Sequence, residues 1–192
     1  GDVHTLLAAI ERRIGDADYQ SSLDIVRDYV GEKRFALGVQ LIEGRSDALD
    51  IARSYAHLAE AALQTLTAAT VAEFEKAHGR IDGGELVILA LGRLGGEALT
   101  HASDLDLILL FTGNNLAESN GPRALGATQY FNRLAQRVVG VAKFAITCNA
   151  AFAAPASPIA KVATGMPLGI CTIDSKESSP RRYFEGTGTP KT

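Results

Sequence analysis

Apolar and polar positions in the first 80 residues repeat with the period of an α-helix. The repeat predicts four helical segments, over about 2–15, 18–30, 32–42 and from Ser46 or Asp47 to Gly79. The apolar stripe of the last and longest segment consists of Ile51, Tyr55, Leu58, Ala62, Leu66 and Phe74. Such a stripe is typical of helices that pack on one another or on a neighbouring domain.

The pattern changes at Gly83 and Gly84. The run 86–91 is continuously apolar and bounded by glycines, which predicts a strand buried on both faces. A glycine-rich turn at 92–96 and a short helix beginning at Glu97 are expected next, followed by a second apolar strand over 103–111.

A turn-rich loop at 113–126 leads to one more predicted helix. Its inner face would consist of Tyr130, Phe131, Leu134, Val138 and Val139. We therefore predict an α+β fold, with an N-terminal helical region over 1–82 packed on a small sheet domain over 83–192.

Charge and composition narrow the classes of function. The chain of 192 residues has 19 basic and 22 acidic side chains, and this balance argues against binding to nucleic acid or to an anionic membrane surface. No apolar run reaches the roughly 18 residues of a membrane span, and no secretory leader opens the sequence, so we expect a cytoplasmic protein. Because the sequence starts at Gly1 rather than Met, we expect either a processed chain or a piece of a longer protein.

The composition changes near residue 140. No Asp or Glu occurs between Glu118 and Asp174, while both cysteines and the only methionine, Met166, lie beyond residue 140. Residues 141–192 therefore read as a different kind of sequence from the rest. A divergent segment and a shifted reading frame are both compatible with this change.

Candidate chemistry lies at the start of the second predicted strand. Asp104 and Asp106 are two positions apart, so their side chains project from one face of the strand, where a divalent cation would compensate their charge. Mg²⁺ takes one or two carboxylates and leaves its other positions to water and substrate phosphates. The turn at Gly95 and Gly96 would let a phosphate approach the backbone, near N–H groups of a helix starting at Glu97.

Each of these features also has an ordinary structural explanation. A Gly-Gly pair after a strand is most often a simple turn, and an Asp-x-Asp is common at solvated strand ends. The histidines His57, His78 and His101 are predicted to be structural or solvent-exposed. It is the ordered combination of strand, glycine turn and paired carboxylates that predicts a nucleotide and metal site.

At these residues the sequence resembles a known family. The segments 89–100 and 103–108 are similar to the nucleotidyltransferase signature of the glutamine synthetase adenylyltransferase family, large bifunctional enzymes with the polymerase-beta type of fold. The flanking segments 35–41, 78–81 and 129–137 look most like its C-terminal, adenylylating half.

The resemblance implies a function for each residue of the signature. Asp104 and Asp106 would be the Mg²⁺ ligands, Gly95 and Gly96 would cradle the phosphates of ATP, and Ser103 would hydrogen-bond near those phosphates. The implied reaction transfers AMP from ATP to a tyrosine hydroxyl of glutamine synthetase, the protein partner. The reverse, deadenylylating reaction would use the same type of site.

The sequence departs from the family after residue 140. Members continue with a Glu-Val-Asp-x-Arg-Leu-Arg-Pro strand that supplies a third carboxylate, whereas this chain has Ala153–Ala156 at the expected distance. Asp174 is the nearest replacement, displaced by about 19 residues. The alternative function is therefore a catalytically weak or inactive nucleotide-binding or regulatory module derived from the family. A polymerase-beta-like enzyme acting on RNA or on antibiotics is disfavoured, because the basic stripe expected for RNA is missing.

Overall fold

The computed structural model describes residues 1–146 and the strands at 148–152, 169–172 and 181–183. Three helices open the chain, namely α1 (Val3–Ile14), α2 (Tyr19–Ile42) and α3 (Ala48–His78). Each begins after an aspartate, Asp2, Asp18 or Asp47, whose side chain accepts a hydrogen bond of 2.8 Å from a backbone N–H of the first turn. Gly15 and Gly79, both with positive φ, end α1 and α3 as predicted.

The prediction of two separate helices over 18–30 and 32–42 is wrong, because α2 is a single helix that passes through Gly31. A glycine in a helix interior costs only about 1 kcal/mol relative to alanine. Side chains of the N-terminal half of α2 fill the core and offset that cost, namely Leu23, Val26, Tyr29 and Val30.

A mixed sheet follows the helices. Its strands are β1 (Glu85–Leu91), β2 (Leu105–Thr112), β3 (Cys148–Phe152), β4 (Gly169–Thr172) and β5 (Arg181–Tyr183), in the order β3-β2-β1-β4-β5. β1 pairs antiparallel with β2 and β4, and β2 pairs parallel with β3. A four-residue helix, α4 (Gly92–Gly95), follows β1, and α5 (Ala127–Ile146) precedes β3. The predicted α+β class is confirmed.

Two local predictions for this region need correction. The short helix lies at α4 and does not begin at Glu97, which has a φ of 52° and donates its N–H to the Leu94 carbonyl in a turn. The prediction that the run 86–91 is buried on both faces holds only for its first half, since Leu86, Val87 and Ile88 are buried while residues 89–91 are half-buried.

The core joins the helices to the sheet. The predicted stripe of α3 is buried throughout, and Phe74 at its C-terminal end packs edge-on against Tyr130 of α5, with ring centroids 5.0 Å apart. The neighbouring Phe131 stacks on Phe111 of β2 at 4.7 Å. The helical region therefore packs on the sheet through α3 and α5, as the fold prediction required.

The C-terminal end of α3 is clasped by the loop before α5. The Gly121 N–H donates to the His78 carbonyl at 3.0 Å, and the Asn120 side chain accepts from the Arg80 N–H at 2.8 Å. A Cβ atom on Gly121 would lie 2.1 Å from the His78 carbonyl carbon, so the two backbones touch directly. Only glycine permits this approach.

Candidate active site

The two candidate carboxylates lie at one end of the central strand pair. Asp104 immediately precedes β2 and Asp106 is its second residue, while Leu105 between them is completely buried. Both carboxylates are exposed, on the strand face opposite to Leu105. The sequence prediction that the two side chains share a face agrees with this alternation of burial.

The end of β1 brings a backbone turn against one of these carboxylates. Leu91 is the register partner of Asp106, and the next residue, Gly92, has a φ of 55°. A Cβ atom on Gly92 would lie 2.9 Å from Oδ2 of Asp106. The site therefore requires glycine at 92 for both the backbone conformation and the space. Sequence reasoning missed this residue, although its position directly after an apolar strand was a usable signal.

Gly95 and Gly96 lie in the same turn, but their hydrogen bonding differs from the expectation. The N–H of Gly96 donates to the Gly92 carbonyl at 3.0 Å, and that of Glu97 donates to the Leu94 carbonyl at 3.2 Å. These two N–H groups stabilise the turn itself. Since no helix starts at Glu97, the predicted helix N-terminus does not exist at that position. The feature left to Gly95 and Gly96 is a backbone without side chains in the turn whose first residue, Gly92, contacts Asp106.

Ser103 is the centre of a small polar network next to Asp104. Its hydroxyl accepts a hydrogen bond from the Thr100 N–H at 3.0 Å and lies 2.7 Å from the Thr100 hydroxyl. Arg93 of α4 donates to the Ser103 hydroxyl at 3.1 Å. The network ties the glycine turn to the segment that leads into β2. Arg93 thus brings a cation to Ser103, the residue before Asp104, and the sequence prediction had not singled it out.

The helical region also contacts the turn through side chains of α3. Glu97 lies 3.6 Å from the Arg53 guanidinium and 3.7 Å from Nε2 of His57. A non-glycine residue with positive φ is uncommon and needs its surroundings to hold it. We attribute the conformation of Glu97 to these contacts together with the internal bonds of the turn.

The other histidines stand apart from any chemistry at the carboxylates. His78 is buried, with Nδ1 2.7 Å from the Arg123 carbonyl, so it belongs to the clasp of α3. His101 is exposed, and its ring meets that of Tyr55 edge-on at 6.1 Å. The prediction of structural or solvated histidines agrees with these positions.

The donor set of the described site suits a cation shared with a substrate. Among residues 1–146 and the described strands, no cluster of three or more His, Cys, Asp or Glu could hold a metal by itself. In β3 the register partner of Asp106 is Asn149, so that strand brings no carboxylate to this position. Asp174, the predicted replacement, lies outside the described residues. Two carboxylates still fit Mg²⁺, which completes its shell with water and phosphate oxygens.

Comparison with known proteins identifies the family. The model of the glutamate-ammonia ligase adenylyltransferase family matches residues 2–148. The chain belongs to this family. The resemblance seen in the signature at 89–108 is therefore confirmed, and the family match ends where β3 begins.

Relatives agree with this assignment. The chain is 37% identical over 126 residues to the bifunctional glutamine synthetase adenylyltransferase/adenylyl-removing enzyme of Mesorhizobium japonicum. This match covers 65% of this chain and 13% of the relative. It is 38% identical over 137 residues to the enzyme of the same name from Xanthobacter autotrophicus, covering 70% of this chain and 14% of the relative. The chain therefore matches about one eighth of the length of these relatives.

The sequence predicted that the chain has no membrane-spanning segment, and the helices of the structure can be checked for one. Within the part of the chain that the structure describes, no helix combines the length and the apolar character needed to cross a bilayer.

Proposed function

We propose that this chain carries an adenylyl-transfer site that moves AMP from ATP to a tyrosine hydroxyl of glutamine synthetase. The observation that supports the proposal is the placement of Asp104 and Asp106 beside the glycine turn at 92–96. Paired carboxylates next to an unobstructed backbone are what a metal-bound triphosphate requires. The names of the relatives support the same class of reaction and the same protein substrate.

Each residue has a defined task in this proposal. Asp104 and Asp106 would hold Mg²⁺, which when bound would stabilise the negative charge that develops on the phosphate oxygens during transfer. Gly95 and Gly96 would let the triphosphate approach the backbone, and Ser103 would hydrogen-bond a phosphate oxygen. The tyrosine hydroxyl of glutamine synthetase would attack the α-phosphorus, and pyrophosphate would leave.

The same arrangement would serve adenylyl removal, in which inorganic phosphate attacks the phosphorus of the adenylylated tyrosine and ADP and the free tyrosine hydroxyl are released. The name of the relatives includes adenylyl removal as well as adenylyl transfer. The flanking segments favour the adenylylating direction, and we propose that direction for this chain.

The second candidate is a nucleotide-binding or regulatory module with little or no activity. The observation that favours it is the register of β3, which pairs Asn149, and not an acidic residue, with Asp106. In this case ATP would bind, but no AMP would be transferred.

Pyrophosphate release from ATP, with glutamine synthetase and Mg²⁺ present, separates the two candidates. We expect release by the wild-type chain and a loss of about a hundredfold or more in Asp104→Asn and in Asp106→Asn, because each change removes one charged ligand. Asp82→Asn is the matched control, since it removes an exposed carboxylate outside the site. ATP binding without pyrophosphate release would establish the inactive module.

A further inference from the structure

An arginine of the helical region reaches the segment that carries Asp104. Arg34 lies in the C-terminal half of α2 and is half-buried. Its Nη2 atom donates a hydrogen bond to the His101 carbonyl, and its Nη1 atom donates to the Ile146 carbonyl at 3.3 Å. Both acceptors are main-chain oxygens, so the guanidinium binds the backbone of these two segments rather than their side chains.

The two carbonyls belong to the segments that lead into neighbouring strands. His101 lies in the turn three residues before Asp104, and Ile146 is the last residue of α5, two residues before β3 begins. β2 and β3 run parallel from this point, with Leu105 opposite Cys148. One guanidinium therefore joins the segments that precede both strands, at the end of the sheet where the acidic pair lies.

The chemistry of this contact suits arginine specifically. The last carbonyls of a helix have no partner within the helix and form the negative end of its dipole, so a cation is favourable at Ile146. A guanidinium presents several donors in a rigid plane and can serve two acceptors at once, whereas an ammonium is a point charge on a flexible stem.

The backbone of Arg34 is held as well as its side chain. The hydroxyl of Tyr55, a buried residue of α3, donates to the Arg34 carbonyl at 3.2 Å. The ring of Tyr55 also meets the ring of His101 edge-on. Helices α2 and α3 thus act together on the turn before β2.

We infer that Arg34 is a positioning residue for the proposed site, holding the turn at 101–104 and thereby the Asp104 carboxylate in register with Asp106. This role rests on the proposed function, because it matters only if the two carboxylates share a cation. It would give the helical region a part in the site through the backbone of the turn. Metal sites depend on the groups that orient their ligands, and losing such a group typically weakens metal binding tenfold to a hundredfold.

The test compares three variants of the full chain. Arg34→Ala removes both hydrogen bonds, and Arg34→Lys keeps the charge but not the planar fork. Arg27→Ala is the control, because Arg27 lies on the same helix and, within the described part of the chain, contacts Asp24, Asp28 and Phe144 rather than the turn. Two quantities are measured: the Kd of Mn²⁺ alone, titrated by electron paramagnetic resonance, and the hydrogen-exchange rates of the amides at 100–106.

For Arg34→Ala we expect a Kd for Mn²⁺ about tenfold higher, together with faster exchange at 100–106. Arg34→Lys should fall between Arg34→Ala and the wild type, and Arg27→Ala should match the wild type in both quantities. A folded Arg34→Ala protein with wild-type Mn²⁺ affinity and wild-type exchange would overturn the inference, as would an equal change in Arg27→Ala.

The exchange measurement keeps this inference distinct from the proposed function. If the wild-type chain binds no Mn²⁺ and releases no pyrophosphate, the proposed function fails. Faster exchange at 100–106 in Arg34→Ala would still support the restraint of the turn, and unchanged exchange would overturn it. If Arg34→Ala does not fold, Arg34→Lys provides the same comparison.

Discussion

The contact between Gly92 and Asp106 allows a quantitative test of the site. Gly92→Ala puts a Cβ atom 2.9 Å from the carboxylate oxygen Oδ2 and places an alanine at a φ of 55°. The backbone conformation alone costs about 1–2 kcal/mol for a residue with a Cβ. The carboxylate must also move by a few tenths of an ångström, because carbon and oxygen atoms do not approach so closely.

A matched variant separates these two effects. Gly83 has a φ of 67°, close to that of Gly92, but a Cβ atom there would have no neighbour within 4 Å. Gly83→Ala therefore carries the backbone cost without the contact with Asp106. Because the Asp106 carboxylate is exposed and can turn aside, the contact adds little to the unfolding free energy lost by Gly92→Ala. Both variants should therefore lose about 1–2 kcal/mol of unfolding free energy, which for a chain of this size lowers the Tm by about 2–8 °C.

The two variants should differ in metal affinity and activity, although they lose similar unfolding free energy. We expect Gly92→Ala to lose Mn²⁺ affinity and pyrophosphate release by about tenfold or more, because the displaced carboxylate is a proposed ligand. Gly83→Ala should keep wild-type values for both. Urea unfolding measures the unfolding free energy, metal titration measures the Mn²⁺ affinity, and a pyrophosphate assay measures the activity. Equal metal affinity and activity in the two variants would refute the importance of the contact.

Three further outcomes are expected elsewhere in the fold. Gly121→Ala should lose about 3 kcal/mol or more of unfolding free energy by calorimetry, because its Cβ would lie 2.1 Å from the backbone of His78; a smaller loss would mean that the clasp moves easily. Burial raises the pKa of Tyr130 to about 12, so the folded state favours the neutral phenol. The free energy of unfolding should therefore fall as the pH rises from about 10 to 12, and it should fall less in Tyr130→Phe. Urea unfolding at several pH values measures both. Ser103→Ala, which removes the acceptor of the Arg93 hydrogen bond, should lose about 1–2 kcal/mol by urea unfolding, and a loss below a few tenths would contradict its central place in the network.

Much of the fold follows from local sequence signals. Aspartate caps, terminal glycines and the apolar stripe of α3 predicted α1 and α3 almost to the residue, because each signal acts within one or two turns of helix. The split at Gly31 failed because tertiary packing of the N-terminal half of α2 outweighs the small helix penalty of one glycine. The conformation of Glu97 could not be predicted, since it depends on contacts with α3 and on bonds inside the turn.

The candidate site also combines features that local sequence predicts with features that depend on distant contacts. The exposed strand face shared by Asp104 and Asp106 was predictable, because their spacing and their strand lie together in the sequence. Arg34 was not, since 67 residues separate it from His101 and no local pattern marks an arginine that binds distant carbonyls. Gly92 and Arg93 belong to the predicted turn, but their contacts with Asp106 and Ser103 depend on the pairing of β1 with β2.

The most direct test of the proposed site follows the transferred group itself. ATP labelled at its α-phosphorus is incubated with glutamine synthetase, Mg²⁺ and the full chain, and the label in glutamine synthetase is measured. The proposed site requires incorporation with the wild type and with Asp82→Asn, and none above background with Asp104→Asn or Asp106→Asn. Incorporation that persists in both site variants, or that is absent with the wild-type chain, would contradict it.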